Sequence, residues 1–241
     1  MESGMKRWYD AVPKRYSVRK YEAGPSLEQM LSLEQMAEAL STRGVRIAVA
    51  VEERAFQGLA GSRIKGTTAL AAILSKGAEP FAPGYIGEAF LLECTAMGLG
   101  TCWLGASFNR GGVYGAIRLN EGEKLHCVTP IGVPGEPFVR RPRKSIEELT
   151  WLAEDEFEAL PQWQREAIAC ARLSPSAINA QPWEFLPTGE GIAVKRTSRN
   201  FGFGALDCGI AMLHIELGAA HAGVTGSWHM RKEGQTFLPE G

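Results

Sequence analysis

The sequence has no excess of charge of either sign: 26 lysines and arginines stand against 27 aspartates and glutamates, a formal net charge of −1. That balance supplies no overall basic field to hold nucleic acid or an anionic membrane, so neither is expected as a partner. Histidine is scarce, with four in 241 residues. There is no His-Glu-x-x-His and no clustered set of carboxylates around the histidines; His214 and His221 read as satisfied histidines, and no metal site is expected. The five cysteines, Cys94, Cys102, Cys127, Cys170 and Cys208, are odd in number and widely spaced, with no Cys-x-x-Cys pair. They argue against a disulfide framework and against a zinc–thiolate site, and fit small buried residues in a reducing compartment. No apolar run approaches the ~20 residues of a membrane span, and the opening MESGMKRWYDAVPKRYS has no apolar signal core, so a cytoplasmic protein is expected. Walker-type Gly-Lys-Ser/Thr is missing. The glycines of Gly98–Gly105 and Gly202–Gly209 have the wrong spacing for a dinucleotide fold, and Ser176 lacks the glycines of a nucleophile elbow.

What is present is a globular composition, 45% hydrophobic and 22% charged, enough for one large domain or two small ones that share a core. Two stretches resemble each other. Gly84–Trp103 reads GYIGEAFLLECTAMGLGTCW and Gly209–Trp228 reads GIAMLHIELGAAHAGVTGSW. Both are apolar, of helical length, and end in a glycine followed by a tryptophan; Gly98 and Gly223 are separated by the same number of residues as Trp103 and Trp228. A helix apolar nearly all round is a buried one, and a glycine after it suits its C-terminal cap. Before each lies a helical stretch (Ser26–Leu40 and Gln164–Ala171), a serine-containing loop (in Glu38–Arg43 and Ala171–Ser176), and strand-like apolar segments. The strands are Val45–Val51 in the first half, and Trp183–Leu186 and Ile192–Val194 in the second. Leu125–Val133 adds a strand to the first half, and a Pro/Gly/Arg-rich arm, Pro134–Lys144, leads into the second. The pattern predicts an α+β protein of two fused half-repeats, with antiparallel-rich sheets and central buried helices, divided as residues 1–150 and 151–241.

Three motifs carry chemistry. Arg15-Tyr16-Ser17-Val18-Arg19 puts two guanidinium groups around a hydroxyl, which suits an anion or a solvated arm. Ser174–Phe185 (SPSAINAQPWEF) packs turn formers, side-chain donors and a ring between a helix and a strand; a plain helix end with an Asn-stabilised turn accounts for part of it. Gly98–Gly105 (GLGTCWLG), with Ile131-Gly132-Val133-Pro134 and then Arg140, Arg141, Arg143 and Lys144, reads either as a capped buried helix with a solvated basic loop or as an anion site.

Taken together, these motifs resemble the FMN-dependent nitroreductase superfamily. That family has an Arg-x-Ser-x-Arg/Lys element, a Pro-Ser-x-x-Asn-x-Gln-Pro-Trp loop, a Gly-Leu-Gly-x-x-Trp segment and a Gly-x-Pro strand end followed by basic residues. All four occur here, but the Pro-Ser loop follows the Gly-Leu-Gly segment instead of preceding it. The order is similar to that of a single-chain branch in which two subunits have been fused and trimmed. Ser41–Arg43 is a degenerate counterpart of the first motif, so one flavin per chain is implied, and a chain holding its own interface is expected as a monomer.

The resemblance implies a nitroreductase-like sandwich and an FMN-dependent oxidoreductase. It would pass electrons from NAD(P)H to a small nitroaromatic or quinone-like acceptor in a ping-pong cycle, with no essential protein acid or base. By the same resemblance, Arg15 and Ser17 grip the FMN phosphate, with Arg141 and Arg143 closing on it from the basic arm, and Tyr16 between them is a cofactor-binding residue too. Arg19 lies toward the ribityl chain or pyrimidine edge, where a fixed positive charge favours the electron-rich ring. Pro175, Ser176 and Asn179 line the dimethylbenzene and ribityl side, and the amides of Leu104, Gly105 and Ala106 face N5 and O4. Two alternatives come with it: a non-catalytic FMN-binding, storage or sensing protein, and a reductive dehalogenase or flavin-modifying enzyme.

Overall fold

The computed structural model describes residues 2–42, 44–57 and 64–240; Arg43, the end of the degenerate Ser41–Arg43 segment, lies outside them. The chain divides into two compact units, Lys14–Arg140, and Met1–Pro13 together with Arg141–Gly241. Helix α1 (Glu2–Ala11) thus belongs with the C-terminal unit, as do residues 141–150, which the sequence pattern groups with the first half.

In the Lys14–Arg140 unit, strand β1 (Tyr21–Ala23) leads to helix α2 (Leu27–Leu40), then to strands β2 (Val45–Val51) and β3 (Ala69–Ser75). Helix α3 (Ala82–Ala96), the two-residue strand β4 (Gly100–Thr101), helix α4 (Arg110–Ala116) and strand β5 (Lys124–Pro134) follow. Helix α2 starts where its sequence says it should: Ser26 Oγ accepts the Gln29 amide at 3.2 Å and Gln29 Oε1 accepts the Ser26 amide at 2.9 Å, a reciprocal cap for two otherwise unpaired donors. The sheet is antiparallel in the order β1-β5-β3-β2, with β4 also on β5. Every residue of β3 is buried, because strands flank it on both edges and helix α3 packs on it. Helix α3 is buried almost all round, from Ala82 to Cys94, apart from Tyr85.

The other unit runs through α5 (Ile146–Thr150), α6 (Glu154–Glu158), α7 (Gln162–Ala171), β6 (Trp183–Pro187) and β7 (Ile192–Arg196). It ends with α8 (Gly204–His221), β8 (Gly226–Arg231) and β9 (Gly234–Pro239). Its sheet is antiparallel, β6-β7-β9-β8. Helix α8 lies against α7 so closely that a Cβ on Gly218 would come within 2.6 Å of Ala167 Cα and of the Glu166 carbonyl.

The two half-repeats are visible as topology. Pairings β2-β3-β5-β4 in one unit have counterparts β6-β7-β9-β8 in the other, and each buried helix occupies the same place in the order. The shared glycine also has one geometry: Gly98 follows α3 at φ 77° and Gly223 follows α8 at φ 82°, the left-handed C-terminal cap that glycine adopts without strain. Each tryptophan then ties back to its helix, Trp103 Nε1 donating to Glu88 at 2.7 Å and Trp228 Nε1 to Glu216 at 3.0 Å. Neither histidine of α8 stands alone: His214 Nδ1 lies 3.3 Å from the Cys170 carbonyl, and the His221 ring stacks on Tyr9 at 3.9 Å. Among the described residues, no helix is long and apolar enough to cross a membrane.

Candidate functional site

In the Lys14–Arg140 unit the Arg15–Arg19 segment is held on both sides. Ser17 bridges Thr101 in parallel fashion, with the Val18 amide donating to the Thr101 carbonyl at 2.9 Å. On the other side the Arg19 and Lys20 amides donate to Glu136 Oε1, at 2.6 and 3.3 Å, and the Tyr16 hydroxyl to the Glu136 carbonyl at 2.7 Å. The Tyr16 ring meets Phe138 edge-on at 5.2 Å. The second glycine of Gly-Leu-Gly explains itself here. Val18 is fully buried against Gly100, where a Cβ would approach a Val18 methyl to 2.6 Å.

Arg15 enters the interior. Its side chain is 4% exposed, and its Nε lies 3.5 Å from Oε1 of Glu88, a side chain with no exposure at all. The other Glu88 oxygen accepts the Trp103 indole, whose ring fits only because position 87 is glycine: a Cβ there would reach Trp103 Cη2 at 2.4 Å. Two buried polar atoms of this cluster, Arg15 Nη1 and Thr101 Oγ1, have no hydrogen-bond partner among the described residues. Buried donors without partners are uncommon and point to a missing acceptor. Cys102 reports on the same surroundings. Burial pushes its thiol up, while the Arg19 and Arg15 charges and the Ser17 hydroxyl pull it back down. The structure therefore gathers Arg15, Ser17 and Arg19 around Thr101–Trp103.

The next segment corrects one expectation. The Leu104 amide is spent on the Val128 carbonyl at 2.9 Å, and the Val128 amide returns a bond to Leu104 at 3.0 Å, so Leu104 is part of the sheet. Of the three amides assigned to a ring edge, only Gly105, half-buried, and Ala106, exposed, remain candidates.

In the other unit the structure joins the basic arm to the Pro-Ser loop. Arg143 donates from Nη1 to Asn179 Oδ1 at 2.8 Å and from Nη2 to the Leu173 carbonyl at 3.1 Å, while Asn179 Nδ2 donates to the Pro142 carbonyl at 3.0 Å. Lys144 binds both the side chain and the carbonyl of Gln181. Ser176 Oγ accepts the Gln181 amide at 2.8 Å, closing the loop on itself; Pro175 is buried and Arg141 exposed. Ile178, Asn179 and Gln181 all have positive φ, between 48° and 61°. Such backbone persists in non-glycine residues only when neighbours fix it.

One of those fixing residues carries no signal in the motifs. Asp207, at the start of α8, accepts the Ala177 amide at 3.0 Å and Asn200 Nδ2 at 2.7 Å, and the same Asn200 nitrogen donates to the Ala177 carbonyl. Burial raises the Asp207 carboxyl to about 6 against the pull of those two donors. Glu88 lies outside the motifs likewise. The signal available for both is a lone carboxylate inside an otherwise apolar helix, since a buried acid must have a partner. Among the described residues, no group of His, Cys, Asp and Glu is placed to hold a metal ion.

Two half-repeats, each an antiparallel sheet with one buried helix, define the nitroreductase-like fold. A solved chain from Thermotoga maritima described as a "putative nitroreductase" aligns with 96% of this chain and 92% of its own, at a TM-score of 0.69 and 22% identity. The family model "Putative TM nitroreductase" matches residues 7–219, and the chain belongs to that nitroreductase family, which makes it an oxidoreductase by class. An "FMN-dependent Nitroreductase" from Clostridium difficile aligns with 53% of this chain and 88% of its own, at a TM-score of 0.42 and 16% identity. A "Putative NADH dehydrogenase/NAD(P)H nitroreductase" from Parabacteroides distasonis covers 58% and 95%, at a TM-score of 0.48 and 19% identity. Comparison with curated proteins gives no match.

Proposed function

We propose that this protein is an FMN-dependent oxidoreductase that passes electrons from NAD(P)H to a small nitroaromatic or quinone-like acceptor in a ping-pong cycle. The observation that carries the proposal is the buried Arg15 with Nη1 unpartnered among the described residues, beside Ser17 and the equally unpartnered Thr101 Oγ1. A phosphate monoester offers such donors the acceptors they lack, and a family of flavin enzymes is where that need arises. FMN, when bound, would supply the electron transfer.

The chain's own residues would bind and orient the flavin. Arg15 and Ser17 meet the phosphate, and Arg19, whose amide is pinned by Glu136, keeps its positive charge close by. Gly105 and Ala106 present amides to the ring edge. In the other unit, taken by itself, Ser176 and Asn179 of the Pro-Ser loop and the exposed Arg141 are the candidate flavin ligands. Arg143 serves that loop by holding Asn179. Tyr16 acts on the arm through Glu136 and Phe138. The matching topology of the two units supports a fused pair of ancestral subunits and hence a monomer. Five buried free cysteines suit the cytoplasm.

Purification tests the reading. The protein should be yellow, with flavin absorbance, and should oxidise NADH or NADPH in the presence of menadione or a nitroaromatic. Flavin bound without turnover would favour the storage or sensing alternative; a preparation that takes up no FMN would end the proposal.

A further inference from the structure

Glu88 belongs to none of the motifs that mark the family, yet it is the carboxylate that faces the buried guanidinium. Its side chain is fully buried, its Oε2 is fixed at 2.7 Å by the Trp103 indole, and its Oε1 lies 3.5 Å from Arg15 Nε. A buried arginine without a counter-charge is costly, so a carboxylate here offsets the cost of burying the Arg15 guanidinium. The contact is nevertheless long for a charge-assisted hydrogen bond, and it engages Nε while Nη1 stays without a partner among the described residues.

We infer that Glu88 is an internal counter-ion and a positioning residue. It balances the Arg15 charge and orients the guanidinium while no anion is bound, and it competes with an incoming anion for the same group. The inference rests on the flavin reading only for the identity of that anion. Trp103 keeps the carboxylate on the Nε side, so that Nη1, itself buried, is the nitrogen left for another acceptor. Gly87 is part of the device, since any side chain there would displace the Trp103 ring.

The two effects of Glu88 separate in one variant. Glu88→Gln keeps an oxygen for the indole but removes the charge. Without flavin it should lower the melting temperature by roughly 10 °C, because Arg15 is left buried and uncompensated. With the competing charge gone, FMN should bind about tenfold more tightly than to wild type, the weight of one charge-assisted contact. Riboflavin, which lacks the phosphate, should bind both proteins alike. A merely structural glutamate would shift both flavins together.

The double variant Arg15→Met, Glu88→Gln guards against a simple folding failure. It removes both charges and should recover most of the lost melting temperature, whereas Glu88→Gln alone should not. An unchanged melting temperature in Glu88→Gln, no recovery in the double variant, or equal gains for FMN and riboflavin would each overturn the inference. If wild type binds no FMN, the flavin reading fails by itself. The counter-ion assignment is then decided by the flavin-free melting temperatures of the two variants.

Discussion

Arg143 and Asn179 are joined by a hydrogen bond of 2.8 Å, the guanidinium donating to an amide oxygen that sits in a left-handed turn at φ 61°. The basic arm and the Pro-Ser loop are therefore one local structure. The family resemblance assigns both residues to a flavin, but the contact also shows a second duty: Arg143 fixes the backbone that presents the loop. Arg143→Ala should cost about 2 kcal/mol of stability, since the charge-assisted hydrogen bonds to Asn179 and Leu173 are among those lost. Arg143→Lys should recover only part, because a single ammonium cannot reproduce the fork to Asn179 and Leu173. Urea unfolding midpoints of the three proteins check this, and equal midpoints for wild type and Arg143→Ala would remove Arg143 from the loop's support.

Asp207 makes a prediction with a definite sign. Its folded carboxyl is raised from 3.8 to about 6, chiefly by burial. A raised carboxylate favours the folded state most below its unfolded value, and that contribution is lost as pH rises through about 6. With Asp207 1% exposed, the swing is about 3 kcal/mol in order of magnitude. The stability of wild type minus that of Asp207→Asn should therefore be larger at pH 4 than at pH 7.5. Melting curves at both values test it, and a difference independent of pH would show that the carboxyl does not titrate in this range.

Glycine tests separate conformation from space. Gly98 has φ 77°, and a Cβ added there would meet nothing within 4 Å, so Gly98→Ala should cost about 1 kcal/mol, through backbone strain alone. Gly218 is an ordinary helical residue, but its Cβ would meet the backbone of α7 at 2.6 Å. Gly218→Ala should cost more, about 2–3 kcal/mol, because two helices must separate. Chemical denaturation ranks the two variants, and the reverse order would contradict the close approach of α7 and α8.

How much of the fold and site is legible in the sequence follows from what each residue does locally. Helix α2 announces itself through the Ser26 cap, and the paired glycines and tryptophans mark both central helices, because a C-terminal glycine and an apolar run are local signals. Strand β3 escapes because Ala69–Ser75 is rich in alanine and apolar up to its final serine, a pattern that periodicity cannot assign to helix or strand. The β8–β9 hairpin escapes too, since its first strand is mostly polar or exposed and its pairing depends on β7. At the site, motif residues are found by type, but Leu104 goes to the wrong partner: its amide joins Val128 across the chain, a contact no local spacing encodes. Glu136, Glu88 and Asp207 act through residues far away in sequence, and only the folded chain shows whom they meet.

The measurement that bears most directly on the flavin assignment is a calorimetric titration of flavin-free protein with FMN and, separately, with riboflavin. It is made for wild type and for the Arg15→Met, Glu88→Gln double variant, in which no charge is left buried alone. Wild type should prefer FMN by about a hundredfold, as charge-assisted phosphate contacts require, and the double variant should lose most of that preference while still binding riboflavin. Equal affinity of wild type for the two flavins, or an FMN preference that survives removal of Arg15, would contradict the assignment of this arginine to a phosphate.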